Sequence, residues 1–241
     1  MLLASRQRIL ERLPHDALVV DVGGWADPFE RADWVVDVMP YATRGLYERR
    51  GWAEPRERLP ERFGPSTWIE RDICERTPLP FEDGTVDFVV CAQILEDVRD
   101  PLHVCRELQR IGKAGYVEVP SRLEELSWGV DGDFVGWAHH RWVIDVDDTG
   151  IEFVMKPHDL HSRPDCYFPA GFWPTLSEEE RVQSLWWTDS FACSERVFIE
   201  EAATDRLLPE LVSRTLAERG FEPARPHRLG ALRRRLAGAR R

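Results

Sequence analysis

The chain has 241 residues and a mass of 28.0 kDa, and 43% of its residues are hydrophobic, enough for the core of one domain of ordinary size. Thirty-two Lys and Arg stand against 43 Asp and Glu, and the formal net charge of −11 argues against a protein that binds by neutralising nucleic-acid phosphates. The charge is uneven, because Pro223–Arg241 holds seven arginines and no acid, leaving residues 1–222 at −18 with Lys113 and Lys156 as the only lysines of the chain.

Ser5–Leu13 is predicted as a short helix, with Ile9, Leu10 and Leu13 on one face and Pro14 as its stop. Five short apolar runs follow: 17–22, 33–38, 67–70, 86–91 and 116–120. They are β-branched and lack strict alternation, the signature of strands buried on both faces of a parallel sheet. Only eleven residues, Gly23–Asp33, separate the first two runs, close to the minimum of about ten to twelve for a crossover, so the intervening helix shrinks to one turn at Pro28–Arg31. Asp100–Gly112 carries a capping acid, a proline at the first helical position, an apolar stripe (Val104, Cys105, Leu108, Ile111) and a closing glycine, which makes a β-α-β unit with the fourth and fifth strands. The fold class is therefore α/β, a doubly wound Rossmann-like and mostly parallel sheet. Phe134–Asp147 and Ile151–Met155 alternate apolar with polar residues and, with the aromatic-rich Gln183–Ile199, predict a C-terminal antiparallel cap. Leu207–Arg219 is predicted as the last helix, with Pro209 in its first turn. This gives a core over 1–121, a second part over 122–222 that completes the same domain, and a basic tail over 223–241.

No run reaches the roughly 20 apolar residues of a membrane span, and Met1–Ala4 followed by Arg6 and Arg8 lacks the order of a signal peptide. The five cysteines form no CxxC pair and read as reduced thiols, so a cytoplasmic protein without nucleic-acid or membrane partners is expected.

Open parallel sheets bind nucleotide cofactors beyond the carboxyl ends of their strands, where glycines admit a ligand to the backbone and an acid accepts ribose hydroxyls. Here the first strand ends in Asp21-Val22-Gly23-Gly24, the second at Asp37, and the third leads to Asp72-Ile73. By itself a Gly-Gly after a strand is as well explained by a plain turn. The stretch from Asp72 through Leu79-Pro80-Phe81, Val86-Asp87-Phe88-Val89-Val90-Cys91 and Gln93-Ile94-Leu95-Glu96-Asp97 to Asp100-Pro101 closely resembles the class I S-adenosylmethionine-dependent methyltransferases. The likeness is greatest to their small-molecule branch, the type 11 methyltransferase domain, and covers about Leu18–Ser121.

This resemblance implies S-adenosylmethionine as the cofactor. It implies Asp21, Gly23 and Gly24 at its methionine end, Asp37 at the ribose, Asp72 and Ile73 beside the adenine, and Gln93, Ile94 and Leu95 facing the sulfonium and the acceptor. Two departures stand out: the short first crossover, with Trp25, Asp27 and Pro28 in its loop, and Asp97 where the family often has histidine. Glu118-Val119-Pro120-Ser121 and His139-His140-Arg141-Trp142 are similar to a subgroup of the family.

Methyl transfer to a hydroxyl or ammonium is helped by a base, and His139 or His140 is the candidate, at the start of a strand whose alternation would turn at most one into the site. A structural role serves either histidine equally well. His158, Asp159, His161, Asp165 and Cys166 match no closed zinc pattern, so no metal is expected. Phe168–Phe172, aromatic but broken by Pro169 and Gly171, is the best candidate for a pocket wall or lid.

The function expected is methyl transfer to a small-molecule acceptor, on oxygen or nitrogen, in a biosynthetic pathway. The alternative is a catalytically degenerate methyltransferase fold that serves as a binding or scaffolding subunit. A nicotinamide dehydrogenase would need GxGxxG, whereas Trp25-Ala26-Asp27 follows Gly24.

Overall fold

Unbroken β-branched runs form strands that lose both faces to packing, and these runs do so here. The computed structural model describes residues 1–52, 59–197 and 201–224, with the side chains of 201–205 excepted. In it β1 (Val19–Val22), β2 (Trp34–Asp37), β3 (Trp68–Glu70), β4 (Phe88–Ala92) and β5 (Ala114–Pro120) lie in the order β3-β2-β1-β4-β5, and β8 (Val182–Thr188) extends the sheet beyond β5. Neighbours among the first five are parallel, with Asp21 opposite Val35 on one side and Val90 on the other. The chain reverses its direction of winding between β1 and β4, which is where such sheets hold ligands.

Two compact units are formed. Among the described residues, one comprises Met1–Val119, Ile144–Phe153 and Gln183–Glu195; the other comprises Pro120–Val143, Val154–Val182, Arg196, Val197 and 201–224. In the first, Val19, Val20, Val22, Val35 and Val36 are fully buried, each worth roughly 1.5–3 kcal/mol of apolar burial. Of these, Val19 and Val35 pack with Ile9 of α1 (Leu3–Arg12) and with Phe29, Phe63, Trp68 and Tyr116. On α3 (Pro101–Ile111) the cap is Asp100, whose carboxylate accepts the His103 N–H at 3.0 Å, and the predicted stripe of Val104, Cys105, Leu108 and Ile111 is buried. The second unit is built on Leu126, Val135, Val143, Tyr167, Phe168 and Phe172, with Leu208, Val212 and Leu216 from α5 (Glu201–Arg219).

Several expectations are corrected. Pro28–Arg31 forms no helix; a single turn there is closed by the Ala32 N–H on the Phe29 carbonyl at 2.8 Å. A short α2 (Leu46–Arg50), set between the left-handed Gly45 and Gly51, was not foreseen. The strand expected from Phe134 begins only at Trp142, because Gly136 takes a positive φ of 62° and residues 138–139 turn. The resulting β6 (Trp142–Asp147) joins β7 (Gly150–Met155) and β9 (Ala192–Glu195) in a second, three-stranded sheet in which β9 runs parallel to β7. Helix α5 starts at Glu201, so Pro209 lies inside it. The buried stripe Leu208-Val212-Leu216 outweighs the roughly 3 kcal/mol that an internal proline costs. Residues 198–200 of the predicted Gln183–Ile199 strand, and residues 225–241 of the tail, lie outside the described residues. Among the described residues no helix is long and apolar enough to cross a membrane.

Candidate active site

The carboxyl ends of β1, β2 and β3 bring Asp21, Asp37 and Asp72 to one edge of the sheet, as the resemblance implies. Each carboxylate is already engaged. Asp21 is buried, and its Oδ2 accepts the Phe29 N–H at 2.8 Å. Burial pushes its pKa up to about 7, helped by the like charges of Asp37 and Asp27 and opposed by the Phe29 hydrogen bond. The Asp37 side chain accepts the Trp25 N–H on Oδ2 at 3.0 Å and the Met39 N–H on Oδ1 at 2.8 Å, and burial holds its pKa above the ordinary value. On Asp72 burial acts upward, but the Arg99 guanidinium and the Cys74 N–H (2.8 Å) prevail and hold the carboxyl below its usual range.

Gly23 closes the first crossover with φ +83° and donates its N–H to Val36 at 2.8 Å. A Cβ there would stand 2.6 Å from Ile94 Cγ1, and one on Gly24 would stand 2.2 Å from Asp21 Oδ2. Both positions therefore require glycine. Gly23→Ala is expected to cost about 2–4 kcal/mol through the clash and the positive φ together, which urea denaturation would read as a lower midpoint at an unchanged slope. An unchanged midpoint would contradict this packing.

Beyond β4 the backbone of Gln93 is left-handed, φ 57°, unusual for a residue other than glycine. It is held by its N–H on the Glu118 carbonyl (2.8 Å) and its side-chain amide on Glu118 Oε1 (3.2 Å). Ile94 packs against Gly23 and Leu95 is sealed in the core, so of the three residues expected to face the ligand only Gln93 lines the cavity in front of the glycines. Ile73 is likewise buried. Glu118 is a hub of this region. Its Oε2 accepts the Leu2 N–H at 2.9 Å and the Tyr116 hydroxyl at 2.5 Å, and burial with the Glu118 charge raises the Tyr116 pKa well above normal.

The space in front of the glycines is a cavity of about 20 Å³ lined by Met1, Asp21, Gly23, Gly24, Tyr47 and Gln93, among others. It has room for one water, against about 300–1,000 Å³ for small-molecule pockets. A larger groove of about 570 Å³ lies at the opposite, amino-terminal ends of β4 and β5, beside Phe88, Ala114, Gly115 and Trp186, away from the carboxylates.

In the second unit His139 and His140 sit in the turn before β6, not on a strand. His139 is exposed; the His140 side chain is 7% exposed and its Nδ1 lies 2.7 Å from Oε2 of the buried Glu125. The other Glu125 oxygen pairs with Lys156, whose ammonium also donates to the Trp137 carbonyl at 2.9 Å. Glu124 accepts the Trp137 indole N–H at 3.1 Å, and burial raises its pKa. Sequence reasoning missed Glu125 and Lys156; a glutamate beginning a run of apolar and small residues was the only sign. Of the residues weighed as metal ligands, His161 accepts the Val135 N–H at 3.2 Å and Cys166 is buried in the core. Phe168 and Phe172 stack at 4.2 Å and are fully buried, so they form core and not a lid. Beside them Trp128, Tyr167, Pro169, Ala170, Phe221 and Pro223 line a cavity of about 370 Å³.

Residues 48–117 match the family described as methyltransferase domain. No curated protein matches the chain. Among solved structures, it is similar to an S-adenosylmethionine-dependent methyltransferase of Thermotoga maritima described as a possible histamine N-methyltransferase, at 20% identity over 53% of this chain and 54% of that one, with a TM-score of 0.33. It is also similar to an S-adenosylmethionine-dependent methyltransferase of Aquifex aeolicus, at 19% identity over 48% and 64% of the two chains and a TM-score of 0.31. A phosphoethanolamine-type N-methyltransferase of Haemonchus contortus, solved with S-adenosylhomocysteine, matches at 18% identity over 48% and 28%, with a TM-score of 0.32. The chain thus spans about half to two thirds of the first two relatives. Over residues 48–117 its core thus resembles a methyltransferase domain, on a sheet with the strand order β3-β2-β1-β4-β5. The cofactor such a core implies is S-adenosylmethionine.

The residues fit that cofactor unequally. A carboxylate offers about four acceptor positions, and the backbone N–H groups of Trp25, Met39 and Val38 that reach Asp37 leave one for a ribose hydroxyl. At the methionine end the one-water cavity does not accommodate it in this arrangement.

Proposed function

We propose that the chain transfers a methyl group from S-adenosylmethionine to the oxygen or nitrogen of a small-molecule acceptor, as a biosynthetic enzyme of the cytoplasm. The observation that carries this reading is the row of acids at the ends of β1, β2 and β3 on a sheet of order 3-2-1-4-5. Bound, S-adenosylmethionine supplies an electrophilic methyl on a sulfonium. Positioning of an acceptor in line with that methyl then does most of the work, and this chain's residues contribute it. Asp37 would hold the ribose, Asp72 and Ile73 would flank the adenine, and Asp21, Gly23 and Gly24 would shape the methionine end, with residues 1–121 as the cofactor core. Residues 122–222 would supply the acceptor side, and of the two adjacent histidines His140 is the better base, because Glu125 fixes its ring through Nδ1.

The test is calorimetric titration with S-adenosylhomocysteine and with NAD. Wild type should bind the first and not the second, and Asp37→Ala should weaken binding at least tenfold, about the worth of one or two lost hydrogen bonds to a charged group. Binding to neither ligand would favour a scaffolding subunit, and binding to NAD alone would overturn the reading.

A further inference from the structure

Outside the candidate site, α3 and β9 bring two cysteines together. Cys105, in the buried stripe of α3, is fully sealed, while Cys193 of β9 is half-buried. Their thiols share a hydrogen bond. The same two stretches are tied a second time, by the Phe191 N–H donating to the side-chain oxygen of Gln109 at 3.1 Å, which holds β9 beside α3. The hydrogen bond from Cys105 pulls the Cys193 thiol down to about 7 against its burial, with a smaller contribution from Arg106, whereas the same hydrogen bond and burial hold Cys105 far above its usual range. One cysteine is thus reachable and inclined to ionise; the other is shielded and stays protonated.

We propose that Cys193 is a reversible oxidation site and that Cys105 is the thiol that resolves it to a disulfide. The oxidant is a peroxide. The Cys193 thiolate attacks one peroxide oxygen, the O–O bond breaks, and a sulfenic acid forms as hydroxide leaves and takes up a proton. Cys105 then loses its proton and attacks the Cys193 sulfur; the S–S bond forms, the S–O bond breaks, and water leaves. Two thiols have lost two electrons and two protons, and the peroxide has been reduced to two waters. The bond clamps β9 to α3, the helix that follows Gln93–Leu95 of the candidate site. Nearby Cys91 is fully buried in β4 and its thiol is raised by burial, so it does not compete.

Treatment of the full-length reduced protein with hydrogen peroxide, followed by alkylation, should leave Cys105 and Cys193 unalkylated, with the pair about 2 Da lighter than two free thiols. A non-reducing peptide map should join the Cys105 and Cys193 peptides, and dithiothreitol should reverse the link. In Cys105→Ala the link is lost and Cys193 is trapped as a sulfenic acid that dimedone labels; in Cys74→Ser the link persists. A second measurement does not depend on oxidation: the pH midpoint for alkylating Cys193 should lie near 7 in wild type and rise by a unit or more in Cys105→Ala. Peroxide-treated wild type with both thiols free, or with another pair joined, would overturn the proposal, as would an unmoved midpoint in a folded Cys105→Ala protein.

Discussion

Asp21→Asn should remove most of a fall in stability that wild type suffers between about pH 4 and pH 7. The folded protein holds the Asp21 proton up to about pH 7, while the unfolded chain releases it near 3.8. Between those values the folded state binds the extra proton, so raising the pH favours unfolding, and the loss is complete above the folded pKa. The direction is opposite to that of a salt-bridged aspartate, because burial dominates and no cation faces this carboxyl at hydrogen-bonding distance among the described contacts. Converted at about 1.4 kcal/mol per unit, the full swing is about 4 kcal/mol. Asparagine keeps an oxygen for the Phe29 N–H and has nothing to ionise. Urea denaturation at pH 5, 6, 7 and 8 should therefore give a steeper decline for wild type than for the variant, with the variant the more stable at pH 8. Parallel curves would show that Asp21 is ionised in the folded state.

Glu125→Ala should be among the most damaging single changes in the second unit, at about 3–5 kcal/mol, because it strands the Lys156 ammonium where its side chain is only 10% exposed. The same change takes the partner from His140 Nδ1. The loss is a property of the broken pair and not of the pair's net worth. Glu125→Met with Lys156→Met, which removes both charges, should recover much of the stability lost in Glu125→Ala. Thermal unfolding of Glu125→Met, Lys156→Met and the double variant measures the coupling; single losses that simply add in the double would mean that the two side chains do not interact.

What the sequence made legible follows from the range over which each signal acts. The five core strands and α3 are written in runs of adjacent apolar residues and in local caps such as Asp100, so they emerge without tertiary information. Asp21, Asp37 and Asp72 were identifiable as acids at strand ends because strand ends are local. That Trp25 and Met39 already donate to Asp37, or that Leu2 reaches Glu118, depends on loops whose path no periodicity specifies. The pairing of Glu125 with His140 and Lys156 spans 15 and 31 positions and is invisible to spacing rules for the same reason. The histidines were expected on a strand because Phe134–Asp147 alternates, yet a glycine in the left-handed region at 136 delays the strand, and its Cβ would strike the Glu125 carbonyl at 2.2 Å. In α5 the proline is expected in the first turn, although the buried stripe on both sides of it carries the helix through.

The scarcity of lysine gives the Glu125 pair a practical use. Of the two lysine amines, Lys113 is 58% exposed in a surface pair with Asp87, while Lys156 is enclosed by Glu125 and the Trp137 carbonyl. An amine-selective reagent at neutral pH would therefore discriminate between them, attaching a dye or a surface tether through position 113 and leaving 156 untouched. Labelling of Lys156 would then serve as a chemical clock for opening of the second unit, reporting an event that the labelled Lys113 of the same molecule ignores.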